Sequence, residues 1–221
     1  MPKQVANVAV DDALTAIYRI THDEDGEAIA ARLAERLDVR PPSIAGMLGR
    51  LVRDRLVTVD AKKRIHLTAA GRARAEGMLR RHRLAECLLV DVLHLEWWRA
   101  YEEAHLVEHA ISDVTEPLIV RLLGDPERSP FGYPIPRHPR AGPLSPRRLA
   151  DLAVGARTIV ERVHEEDEEL LRFFADEGIR PGVAVEVIEV APKRGTVTAI
   201  FAGREVVLGT EAARLVWVPE R

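Results

Sequence analysis

Apolar residues in the first third of the chain recur at helical spacing and then switch to the spacing of strands. Leu14, Ile17 and Tyr18 mark one helix over about Asp11–Ile20, closed by the segment THDEDGE. Ile29, Leu33 and Leu37 lie on one stripe of a second helix over 28–37. After the turn DVRPP, Ser43 is placed to cap a third helix running through SIAGMLGRLVRD, because proline is tolerated around a helix start. From Leu56 the period falls to two. Leu56–Val59 and Ile65–Leu67 read as short strands joined by the basic turn DAKKR, and Thr68 opens another long helix. Helix, helix, turn, helix and basic hairpin is the order of a winged helix-turn-helix, in which the helix after the turn enters the major groove while the wing lies over phosphates.

Farther along, Trp98, Leu106, Ala110, Val114 and Leu118 predict a helical run over about Glu96–Leu123. Pro117 falls inside it and predicts a kink or break, since proline in a regular helix interior costs about 3 kcal/mol. The proline-rich stretch Gly124–Pro146 reads as a boundary or ordered linker. A helix-like start at Ser145 and a short acidic helix in EEDEELLRFFADEGIRPG, closed near Gly178, come next. Four strands follow, VAVEVIEV, TVTAIF, REVVLG and RLVWV, with turns at Gly195 and Gly203. A meander of that length is a small barrel or an SH3-like domain.

With 221 residues and 47% hydrophobic content, the chain can build two domains or three small ones. No apolar run is long enough to span a membrane, and the start MPKQVANVAVDD lacks the features of a secretory signal. The single cysteine, Cys87, lies among leucines, which excludes a disulfide framework and fits a cytoplasmic protein. The net charge of -3 conceals an asymmetry: Arg40–Arg83 holds 12 Lys/Arg against 3 Asp/Glu, an excess of nine, whereas Glu161–Glu177 is dominated by acids. Such a chain can bind a polyanion through its basic region without being basic overall.

Three groups of side chains have metal-binding chemistry. His105, Glu108 and His109 stand at i, i+3 and i+4, so they share one helix face and can converge on Mn²⁺, Fe²⁺, Co²⁺ or Zn²⁺. The same pattern also suits an ordinary solvated face. His82 and Glu86 are i, i+4 as well, although a histidine among arginines can simply extend a positive surface. Asp11 and Asp12 read either as ligands from the first helix or as a negatively charged helix start. No phosphate-cradling glycine loop, nucleophile elbow or cysteine pair is present, which argues against an enzyme.

The stretches AERLDVRPPSIAGMLGRL, LVTVDAKKRIHLTAAGR, RRHRLAECLL, EEAHLVEHAISD, RSPFGYPIP and EELLRFFADEGIRPG, in that order, resemble the diphtheria toxin repressor family of iron- and manganese-dependent regulators. The resemblance spans about Asp11 to Trp217 and implies a mainly α, multidomain fold. Its parts are a winged helix-turn-helix over 1–73, a helical metal-binding and dimerisation domain over 74–144 and an SH3-like, FeoA-like domain over 145–221. It further implies a principal metal site at Asp12, His105, Glu108 and His109, and an ancillary one at His82, Glu86 and Asp167. A histidine often contributes to the ancillary site from the position occupied here by Tyr101.

Iron-type members usually have methionine at the position of Asp12 and cysteine at that of His105, whereas manganese-type members have aspartate and a carboxylate. Asp12 therefore favours Mn²⁺, and His105 keeps Fe²⁺ open. Arg40, Pro42, Ser43, Ala45, Gly46 and Arg50 fall on or beside the reading helix, where Ser43 and Arg50 can meet phosphates or bases and Pro42 and Ala45 can meet thymine methyls. Many relatives have a base-contacting glutamine where this chain has Gly46. Lys62, Lys63 and Arg64 in the wing are expected to meet the backbone, unless the turn is an ordinary solvated hairpin. The function these features imply is a cytoplasmic, homodimeric repressor of metal homeostasis that binds palindromic operator DNA when loaded with Mn²⁺ or Fe²⁺. A constitutive DNA-binding protein with a structural metal, and a metal-dependent hydrolase, are the alternatives.

Overall fold

The computed structural model describes residues 2–24, 26–140 and 142–220, with side chains from residue 8 onward. It divides into two compact units, Met1–Arg81 and His82–Arg221.

In the first unit, α1 (Pro2–Tyr18), α2 (Ala30–Arg36) and α3 (Pro41–Arg53) precede the hairpin β1 (Val57–Val59) and β2 (Ile65–Leu67). Leu14, Ile17, Leu33, Ile44, Leu51, Val57 and Ile65 interlock in one buried core. Ile29, expected on the stripe of the second helix, is instead extended at the cap position before α2 and exposed. The helix-turn-helix and wing anticipated from the periodicity are present. Thr68 caps α4 (Ala69–Cys87), its hydroxyl accepting the Gly71 N–H at 3.1 Å.

Two boundaries differ from expectation. Helix α1 begins well before Asp11 and ends in a π turn over Arg19–Asp23. Ser43 is not a cap: α3 starts two residues earlier, with Arg40 at the cap position and Pro41 and Pro42 in the first turn. Prolines there lose no hydrogen bond, because those N–H groups have no partner within the helix.

In the second unit the run expected over Glu96–Leu123 is several short pieces. A 3₁₀ turn at Trp97–Arg99 leads into α5 (Ala100–Val107), a further 3₁₀ turn at Glu108–Ala110 follows, and α6 (Glu116–Leu122) is separate. Pro117 thus lies in the first turn of α6 and costs nothing there. Ser112 and Thr115 close the break, with the Ser112 N–H donating to Thr115 Oγ1 at 2.9 Å and the Thr115 N–H to Ser112 Oγ at 3.2 Å. Leu106, Val114, Leu118 and Leu122 are exposed.

The expected helix at Ser145 is only a 3₁₀ turn over Leu149–Asp151. Two short strands that the apolar pattern had not shown follow, β3 (Arg157–Ile159) and β4 (Arg162–Val163). Helix α7 (Glu168–Asp176) is the acidic helix; beyond its end Gly178 has a φ of +73°, a conformation that glycine adopts without steric cost. Strands β5 (Ala184–Ala191), β6 (Thr196–Phe201) and β7 (Arg204–Gly209) follow as anticipated. The last apolar run is divided between α8 (Thr210–Arg214) and β8 (Val216–Trp217). One sheet has the order β3-β5-β6-β7, and β4 pairs with β8. The proline-rich stretch is ordered against this domain: Phe131 and Tyr133 are buried in its core, and the Val163 N–H donates to the Phe131 carbonyl at 3.0 Å.

Candidate metal centre

The centre of the second unit's polar cluster is Glu108. The tightening of α5 into a 3₁₀ turn at this residue brings i and i+3 side chains nearly into register, so His105 stands over Glu108. Its carboxylate is buried, with Oε1 3.2 Å from His105 Nδ1 and 3.3 Å from His109 Nε2, and Oε2 2.6 Å from His82 Nδ1. Burial alone would raise its pKa. The hydrogen bonds and charge of His105 and His82 overcome that and hold it down at about 2, so Glu108 is a carboxylate at neutral pH. His105 and His109 form the half-open edge of the cluster, while His82 is buried.

The two ligand sets inferred for this unit are joined through His82. Its Nε2 lies 3.0 Å from Glu86 Oε1, at an orientation that makes no hydrogen bond. Glu86 is completely buried, and neither of its oxygens has a hydrogen-bond partner among the described residues. A buried carboxylate without donors is costly, and a cation is the usual compensation. Ligand atoms of His82, His105 and Glu108 all lie within 4.8 Å of one another, a spacing that suits a single ion. Nitrogen and carboxylate oxygen donors without sulfur fit Mn²⁺ or Fe²⁺. At the position where the resemblance suggests a histidine, the Tyr101 ring packs edge-on against His82 at 5.0 Å.

Asp12 is half-buried on α1 in the first unit, beside Asp11, which is paired with Arg74 at 2.6 Å. Asp167 is exposed and caps α7, its carboxylate accepting the Leu170 N–H at 3.0 Å. Two residues earlier, Glu165 is the buried carboxylate of that acidic segment. Sequence alone did not single it out, because nothing in a run of consecutive acids tells which one turns inward.

On the first unit, the face of α3 that avoids the core presents Pro42, Ser43, Ala45 and Gly46 to solvent, with Arg50 half-buried and Arg40 exposed at the helix start. Apart from its chain neighbours and the backbone of its own helix, no atom of the described residues lies within 4 Å of the position a Cβ would take on Gly46, so packing against the rest of the protein does not require glycine there. In the wing, Lys62 and Lys63 are exposed and Arg64 is half-buried.

The chain matches known families along nearly its whole length. Residues 9–65 match the family described as iron dependent repressor, N-terminal DNA binding domain. Residues 68–137 match its metal binding and dimerisation domain, and residues 147–220 match the FeoA domain. Over 220 residues the chain is 37% identical to the iron-dependent repressor IdeR of Mycobacterium tuberculosis, covering 93% of this chain and 94% of that protein. Over 218 residues it is 31% identical to the diphtheria toxin repressor of Corynebacterium diphtheriae, covering 94% and 95%. A solved manganese-dependent transcriptional repressor in complex with manganese superposes with a TM-score of 0.85 at 32% identity, covering 95% of this chain and 98% of the other.

Proposed function

Because the chain belongs to the iron-dependent repressor family of metal-dependent transcription regulators, we propose that Mn²⁺, or alternatively Fe²⁺, held by Asp12, His105, Glu108 and His109 switches it onto operator DNA. The supporting observation is Glu108, a buried and ionised carboxylate facing three imidazoles. When bound, the ion would supply positive charge beside the Glu108 carboxylate, which faces His82, His105 and His109. His82 and Glu86 complete the donor set on the buried side, and Asp167 is the remaining ancillary candidate. Asp12 belongs to the unit that reads DNA and the other ligands to the second unit, so ion capture would couple the two.

The protein acts as a homodimer that reads a palindrome, with boundaries near 73/74 and 144/145 separating the reading, dimerisation and FeoA-like domains. Leu118 and Leu122, i and i+4 on α6, are exposed together with Leu106 and Val114, and supply an apolar face for the partner subunit. Each reading helix would then meet one half-site through Arg40, Pro42, Ser43, Ala45, Gly46 and Arg50. With glycine at position 46 in place of a long polar side chain, direct base contacts are few and DNA shape contributes more to selectivity.

The test is a mobility-shift titration with and without Mn²⁺. Glu108→Ala is expected to abolish metal-stimulated DNA binding and to leave the dimer intact. Metal dependence equal to that of the wild type would reject the ligand assignment. Operator binding that survives chelation in the wild type would favour a constitutive DNA-binding protein instead.

A further inference from the structure

The wing contains an internal brace built around one carboxylate. Asp60 Oδ1 accepts the backbone N–H of Lys62 at 2.8 Å and of Arg64 at 3.0 Å. Its Oδ2 accepts the Arg64 Nε–H at 2.7 Å and lies 3.2 Å from His66 Nε2. Arg64 also reaches outward from the hairpin, donating from Nη1 to Glu27 Oε1 at 3.2 Å. Next to it, the Ile65 N–H donates to the Ala28 carbonyl at 2.7 Å, so the segment before α2 anchors the same strand. Lys63, in the turn, has a φ of +65°, a left-handed conformation that a non-glycine residue keeps only when its surroundings hold it there.

These contacts give the three basic residues of the wing different roles. Lys62 and Lys63 are exposed and make no ion pair among the described residues. The Arg64 guanidinium already faces two carboxylates. Turning it to a phosphate would surrender a charge-assisted hydrogen bond and release Asp60, whose two amide bonds shape the turn. Resting on the reading that this wing lies over DNA, we propose that Arg64 is a positioning residue that braces the wing through Asp60 and Glu27, and that the wing's phosphate contacts come from Lys62 and Lys63.

Salt dependence separates a phosphate contact from a brace, since each phosphate neutralised adds about 0.9 to the slope of log affinity against log salt. The probe is a duplex selected from a random-sequence pool by the full-length wild type in saturating Mn²⁺, with binding followed by fluorescence anisotropy. Lys62→Ala and Lys63→Ala should each lower the slope by about 0.9. Arg64→Ala should weaken binding about fivefold with the slope unchanged. Asp60→Ala is the sharper variant. Removing an acid beside DNA would tighten binding if charge alone mattered, whereas loss of the brace should weaken it about fivefold and speed amide exchange at residues 62 and 64 in the free protein. A slope reduced by about 0.9 in Arg64→Ala, or tighter binding by Asp60→Ala, overturns the brace alone. A wild type that holds no duplex overturns the DNA-binding reading and the brace with it.

Discussion

Replacing Glu108 by Gln keeps the volume of the side chain and removes its charge, so the change isolates what the carboxylate does for an ion. In the wild type, metal at a hundred times its dissociation constant stabilises the folded state by about 2.7 kcal/mol. For a chain of 221 residues, with roughly 2–4 °C of midpoint per kcal/mol, that is a rise of about 5–11 °C. Glu108 is buried and touches three of the imidazoles in the cluster, so its loss removes a central anionic donor. A hundredfold loss of affinity, about the upper value for second-shell changes, leaves the same metal concentration at the dissociation constant. The stabilisation then falls to about 0.4 kcal/mol, a shift of about 1 °C. Thermal unfolding of both proteins with EDTA and with Mn²⁺ measures the difference directly. A rise in Glu108→Gln equal to that of the wild type would refute the placement of the ion at this carboxylate.

Three further outcomes are expected. Leu118→Glu places a charge in the exposed apolar row of α6 and should convert the dimer to monomers in sedimentation velocity; a persistent dimer would assign the interface elsewhere. Asp60 is held below its ordinary value of 3.8, first by the Arg64 N–H bond, so its contribution to wing order is complete above that value and is lost as pH falls through the lower folded value. Amide protection at residues 62 and 64 should therefore persist down to about pH 4 and fade only in stronger acid, and fading nearer neutrality would contradict the brace. Gly132 has a φ of +93°, and a Cβ there would meet the Glu161 carbonyl oxygen at 2.1 Å. Gly132→Ala should cost more than about 3 kcal/mol in chemical denaturation, against about 1–2 kcal/mol for Gly155→Ala, where φ is also positive but the space is open.

Much of the fold was legible because the first unit's core is built from local periodicity. Leu14 with Ile17, Leu33 with Leu37, and the alternation in the hairpin each report a buried face within one element, and burial of such faces decides which helices and strands form. The interruption after α5 was less legible. Pro117 signalled a disturbance, but whether it broke a helix or began one depended on Ser112 and Thr115 closing the turn before it. Strands β3 and β4, of three and two residues, are too short to show alternation and exist because β5 and β8 pair with them.

For the site, the spacing of His105, Glu108 and His109, and of His82 and Glu86, was visible in the chain, since residues three and four apart on a helix are neighbours by geometry. Only tertiary structure brought His82 to within 2.6 Å of Glu108, a residue twenty-six positions later, and made one cluster of two sets. The commitment of Arg64 to Asp60 and Glu27 was hidden for the same reason: sequence supplies the charges, while chain folding decides which are already neutralised before any ligand arrives. Local periodicity thus determined the elements and the residue types that can hold an ion or meet DNA. Contacts between segments distant in sequence decided which carboxylate is buried, which histidine is shared and which arginine is already engaged, because burial and pairing are set by packing and not by order along the chain.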